Sequence, residues 1–144
     1  MKLLVDTNIV LDFLLEREPF FQQSKLLFEA TKDKRIIIYV TPITVANLFE
    51  IAKLHTQDLE RAKEVTAITL ATLEICLLDH AVLQLASFEL ALASPTPDFE
   101  DAIKIACVLS QGLDAIVARD PKFSHPSVAA LSVNDVLERI SIPD

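Results

Sequence analysis

Five acids in this chain stand where their carboxylates could share one site: Asp6, Glu50, Asp98, Asp101 and Asp120. Asp6 directly follows the apolar run Lys2-Leu3-Leu4-Val5. An acid straight after a buried strand is costly unless it meets a cation or a hydrogen-bonding partner. Asp98 and Asp101 are three apart, so they share a face of the helix they begin. Asp120 ends a second apolar run, Leu113 to Ala118. Glu50 lies three residues after Asn47, and helical side chains lean back toward the helix start, so its carboxylate can reach over Asn47. Oxygen donors gathered without Lys or Arg among them repel one another. A hard divalent cation, Mg²⁺ or Mn²⁺, resolves that repulsion and keeps waters for substrate phosphates.

Each acid also has a simpler role open to it. Asp98 can serve as a helix cap, Asp101 as a complement to the helix dipole, and Asp120, before Pro121, as a turn former. Glu50 can be one more solvent-facing helix acid. Asp12, Glu16 and Asp33 are expected on the solvated surface. His55, His80 and His125 lack zinc-ligand spacing and are expected at the surface or in loops.

The elements that must position these acids alternate. Lys2 to Val5 is patterned as a strand buried on both faces, and Ile9, Val10, Phe13 and Leu14 recur at helical spacing after it. Pro19 opens a helix to about Lys32, and Ile36 to Val40 is a β-branched strand. Thr41-Pro42 caps and starts the next helix. Asp58 begins another, to about Thr72; Leu73 to Leu78 is a weaker strand, and Asp79 caps a helix to about Ala93. After the break Ser94-Pro95-Thr96-Pro97, a helix runs from Asp98 to Gln111 with Gly112 beyond its end. Leu113 to Ala118 is a fourth strand, Ser127 to Leu131 a short edge strand, and Val133 to Ile140 a closing helix. Strands alternating with helices predict a single three-layer α/β/α domain over residues 1–144, with a mainly parallel sheet of four to five strands. Its ligands are expected at the carboxyl ends of the strands, where Asp6 lies.

Composition sets limits. The 144 residues are 51% hydrophobic, enough for one cored domain. A single glycine, Gly112, rules out Gly-rich phosphate loops and the folds built on them. No run approaches a membrane span, and no secretory pattern follows Lys2, so a cytoplasmic protein is expected. Cys76 and Cys107 sit in apolar surroundings, as buried free thiols do. The net charge of −8 argues against holding nucleic acid by charge alone. Setting the five candidate acids aside leaves −3 of it, so the argument is weak.

Four segments in order, L-L-V-D-T-N-I-V-L-D, T-P-I-T-V-A-N-L, D-F-E-D-A-I-K-I-A-C-V-L-S-Q-G and D-A-I-V-A-R-D-P-K-F, resemble the PIN-domain ribonucleases, which include the toxins of VapBC toxin–antitoxin modules. The resemblance spans nearly the whole chain. It implies Asp6, Asp101 and Asp120 as core metal-site acids, Asp98 as the extra acid of one subgroup, and Thr7 and Asn8 as shapers of the first loop. Asn47 departs from the pattern, since many members carry glutamate there; Glu50 is the nearest acid. The implied activity is Mg²⁺- or Mn²⁺-dependent cleavage of RNA by a metal-activated water, in a homodimer with an antitoxin protein as possible partner. Two phosphoaspartate chemistries fit less well. A haloacid-dehalogenase pattern needs an acid where Asn8 stands, and a receiver domain needs paired acids at the first strand. The alternative from another class is a PIN-like module without catalysis that binds RNA or protein.

Overall fold

Leu3, Leu4 and Val5 are almost wholly buried, which fixes their strand, β1 (Lys2–Val5), in the middle of the molecule. Each such burial is worth about 1.5–3 kcal/mol. The computed structural model describes residues 1–92, 97–119, 121 and 124–141. Its other strands are β2 (Ile37–Val40), β3 (Glu74–Ile75), β4 (Ala115–Val117) and β5 (Ala129–Leu131). All pair in parallel, in the order β3-β2-β1-β4-β5, with Leu3 opposite both Ile38 and Ala115. The expected α/β/α architecture is the one observed.

Seven helices flank the sheet: α1 (Thr7–Leu14), α2 (Phe21–Glu29), α3 (Pro42–Thr56), α4 (Leu59–Thr72), α5 (His80–Leu92), α6 (Phe99–Gln111) and α7 (Val133–Ser141). Leu3 and Val5 point into a core shared with α1, α2, α3, α4 and α7. Leu4 and Ile116 point to the opposite face, against α5 and α6. The alternation follows from the two-residue period of a strand. Cys76 and Cys107 are free and buried in this second core.

Most helix starts are set by the expected caps. Thr41 accepts from the Thr44 amide at 3.0 Å, Asp58 from Arg61 at 3.2 Å, and Asp79 from Val82 at 3.0 Å. Gly112 ends α6 in the left-handed region at φ 63°. The expected break at residues 94–97 lies mostly outside the described residues. From β1 the chain winds outward through β2 and β3, then returns past β1 to lay down β4 and β5. The winding therefore reverses between β1 and β4, and at such a switch point the carboxyl ends of the strands open a crevice. Among the described residues, no helix is long and apolar enough to cross a membrane.

Candidate active site

Asp6 leaves β1 at this crevice and caps α1, its Oδ1 accepting the Thr7 amide at 2.9 Å. The same oxygen accepts from Lys104 Nζ at 2.9 Å. Lys104 lies one turn into α6, and its Nζ is also 3.8 Å from Asp101 Oδ1. Asp98 caps α6 by accepting the Asp101 amide at 2.8 Å. Asn47, on α3, donates through Nδ2 to Glu100 Oε1 at 2.7 Å. Three elements thus converge: the end of β1, the first turn of α6 and the middle of α3.

The electrostatics record the crowding. Burial pushes the Asp101 carboxyl above its ordinary value, Asp98 adds to the rise, Lys104 opposes it, and Asp6 and Glu100 push it further. Burial would lower the Lys104 ammonium, but the Asp6 charge and hydrogen bond, with Asp101 and Glu100 beyond, raise it instead. Four carboxylates against one ammonium leave a surplus of hard oxygen donors, which fits a divalent cation. Among the described residues, no three ligating side chains by themselves form a ready metal cage. Asp120 lies outside the described residues; the sequence places it just beyond β4, the strand beside β1.

The raised Asp101 value carries a sign. Its ionisation costs the folded protein stability as pH rises through the window above the ordinary 3.8. In metal-free buffer, Asp101→Asn should therefore melt higher than the parent at pH 7, and the gap should close below pH 3.8. Melting curves across that range that run parallel would refute this.

Several expectations need correcting. The acids are not free of cations: Lys104 sits between Asp6 and Asp101. Asp12 is not solvated surface, for its side chain is 1% exposed and held by Arg17 and Arg119. It faces inward because α1 packs between the sheet and α2, and position 12 falls on the stripe of Ile9. His125 does lie in a loop, between β4 and β5, where it pairs with Glu89 at 2.9 Å. Glu50 is not brought to the cluster. Its side chain is 61% exposed and pairs along the helix with Lys53 at 3.1 Å. The acid that meets Asn47 comes from α6, as Glu100.

The fold has counterparts. A sequence profile described as the PIN domain matches residues 2–122. The chain belongs to the PIN domain family. No curated protein matches it, but solved structures do. The DNA-bound VapBC of Salmonella typhimurium gives a TM-score of 0.69 at 19% identity, over 92% of this chain and 98% of that one. A toxin–antitoxin complex from Klebsiella pneumoniae gives 0.63 at 24% identity, over 88% and 94%. VapC20 of Mycobacterium tuberculosis, a Sarcin-Ricin loop cleaving toxin, gives 0.66 at 14% identity, over 79% and 86%. Likeness at these identities establishes the shared fold. Within this PIN domain, Glu100 and Lys104 are the site neighbours that sequence reasoning passed over. The signal for Lys104 was available, since it lies three residues after Asp101 and shares its helix face.

Proposed function

We propose that this PIN domain protein is a Mg²⁺- or Mn²⁺-dependent endoribonuclease, the toxin of a toxin–antitoxin pair. The observation that carries it is the meeting of Asp6, Glu100 and Asp101 around Lys104, with Asp98 beside Asp101, at the switch point of the sheet. Asp6, Asp98 and Asp101, with Asp120 from beyond β4, would hold the ion. When bound, it polarises a phosphodiester and lowers the pKa of a bound water. The chain's residues supply the rest. Thr7 fixes the Asp6 carboxylate through its amide, and the Asn8 carbonyl and amide oxygens, both held by Arg17, tie the first turn of α1 to the segment after it, so Thr7 and Asn8 lie in a helix and not in the expected loop. Asn47 orients Glu100 at the rim. Lys104 balances Asp6 and Asp101, and its ammonium is placed where it would serve a phosphate oxygen of a bound strand.

One observation favours a second reading, a PIN module that binds RNA or protein without cutting. Lys104 already neutralises Asp6, and if that pair is permanent the acids hold no ion. Titrating purified protein with Mn²⁺ on a labelled RNA separates the two. Cleavage should appear with Mn²⁺ and vanish on adding EDTA; cleavage that persists in EDTA rules out the metal mechanism, and none at any Mn²⁺ concentration favours the binding module.

Glu50 and Glu100 make a paired forecast in the same assay. Glu100→Gln should lower the rate by about 10–100-fold, the usual loss when a metal ligand's supporting partner is changed. Glu50→Gln should leave it at the parent level, as its exposure predicts. The reverse order would return Glu50 to the site.

The partners follow from the same reading. A toxin–antitoxin complex and a VapBC complex among the structural counterparts support an antitoxin. Mean hydropathy of +0.39, with Leu54, Leu70, Leu77, Phe88 and Leu92 all more than half exposed, supports a homodimer. A monomeric mass by light scattering at micromolar concentration would count against it.

A further inference from the structure

Beside the acid cluster lies a small, open hollow between α1, α2 and α7. Its wall includes Arg119, Phe20, Gln23, Ser24, Ser132 and Asn134. The Arg119 guanidinium lies over the Phe20 ring, 4.0 Å from its centre. It is anchored on Asp12, with Nε 2.8 Å from Oδ2 and Nη2 against Oδ1. Arg17 grips the same carboxylate from the other side, Nε to Oδ1 at 3.1 Å. Among the described residues, this is the one place where two guanidiniums share a single acid. The trio therefore carries a net positive charge in a chain whose total is −8.

The other walls supply donors. Ser132 and Asn134 belong to the entry turn of α7, where helix amides gather positive potential. The acid of that turn, Asp135, is engaged with the Ser132 amide at 2.9 Å. Phe20 stiffens the guanidinium by stacking, and the Asp12 fork fixes its plane, so Arg119 is pre-set for a phosphate. Position matters as much as charge. Arg119 directly precedes Asp120 in the chain, and Asp12 lies six residues from Asp6 on α1, about 9 Å along its axis.

We infer that this hollow seats a backbone phosphate of the RNA strand next to the one placed at the acids. The inference rests on the ribonuclease reading for its substrate, but its chemistry is separate. The acids repel a polyanion, and the Arg119 hollow supplies the attraction that holds the strand beside them. A phosphate contact of this kind positions the strand without reading bases, so preference among sequences must come from elsewhere.

The test is binding, not cleavage. The full chain in EDTA is titrated into a fluorescein-labelled single-stranded RNA over a range of salt, followed by anisotropy, and the RNA is checked on a gel afterwards. Arg119→Gln should weaken binding equally for unrelated sequences and reduce the slope of log affinity against log salt by about 0.7, one phosphate's worth. Gln23→Glu leaves the Asp12 clamp intact and puts a carboxylate in the hollow. It should weaken binding about tenfold, as a phosphate contact turned repulsive does, so a folding defect in the arginine variant does not decide the matter. Parent-like affinity and slope in both variants would overturn the seat, as would no RNA binding by the parent. So would a labelled polyglutamate peptide whose binding falls in Gln23→Glu while RNA binding does not, for the hollow would then serve an acidic protein segment. If the binding changes appear and Mn²⁺ still supports no cleavage, the seat stands and the nuclease reading falls.

Discussion

Asp6→Asn is expected to lower Mn²⁺-dependent RNA cleavage by more than about 100-fold, beyond the usual loss from changing a supporting partner. The size follows from what Asp6 does. It ends the central strand, caps α1 and faces α6, so it links the two sides of the crevice. The amide of asparagine can still accept the Thr7 hydrogen bond, so the cap and the fold survive. What is lost is the charge that holds Lys104 and would hold the proposed ion. The thermal midpoint in EDTA checks this, and it should fall modestly because Lys104 loses its buried partner. A variant that melts like the parent and also cleaves like it would remove Asp6 from the chemistry. One that unfolds outright would make Asp6 a structural acid. Circular dichroism alongside the cleavage assay distinguishes these cases.

Much of this site was legible because strands and caps obey local rules. The run Lys2–Val5 announced a doubly buried strand, and Asp58, Asp79 and Asp98 announced caps, since each precedes an apolar period with a side chain that can accept from the next turn. Gly112 fixed the end of α6 for the same kind of reason. What resisted was pairing across the chain. Asp12 and Arg119 are 107 residues apart and meet only because β4 is laid beside β1. Glu100 reaches Asn47 across 53 residues, and no spacing encodes that. Glu50 is near enough along α3, but the turn of the helix carries it to Lys53 and solvent, a direction that spacing alone does not encode. Lys104 is the opposite case: its three-residue spacing from Asp101 puts both on one helix face, which the sequence displays directly.

The largest stability effect should come from Asp12, which the sequence presented as one more surface acid. Its side chain is 1% exposed and satisfies two guanidiniums, from Arg17 and Arg119. Arg17 in turn holds the Asn8 carbonyl, and Arg119 stacks on Phe20, so the carboxylate ties the segments after α1 and after β4 to α1 itself. Removing one partner of a buried ion pair leaves the other charge without compensation and costs about 3–5 kcal/mol. Two cations are stranded here, but Arg119 is 31% exposed and can turn toward water. Asp12→Ala should therefore cost about 3 kcal/mol, the lower end of that range, or a fall of roughly 10 °C in Tm for a domain of this size. Asp33→Ala is the control, since Asp33 pairs with Arg35 at 2.8 Å but both side chains are about half exposed. Exposed pairs add little, so its Tm should match the parent. Equal shifts for the two variants would mean that the Asp12 clamp is worth no more than a surface pair. The phosphate seat built on Arg119 would then have lost its anchor.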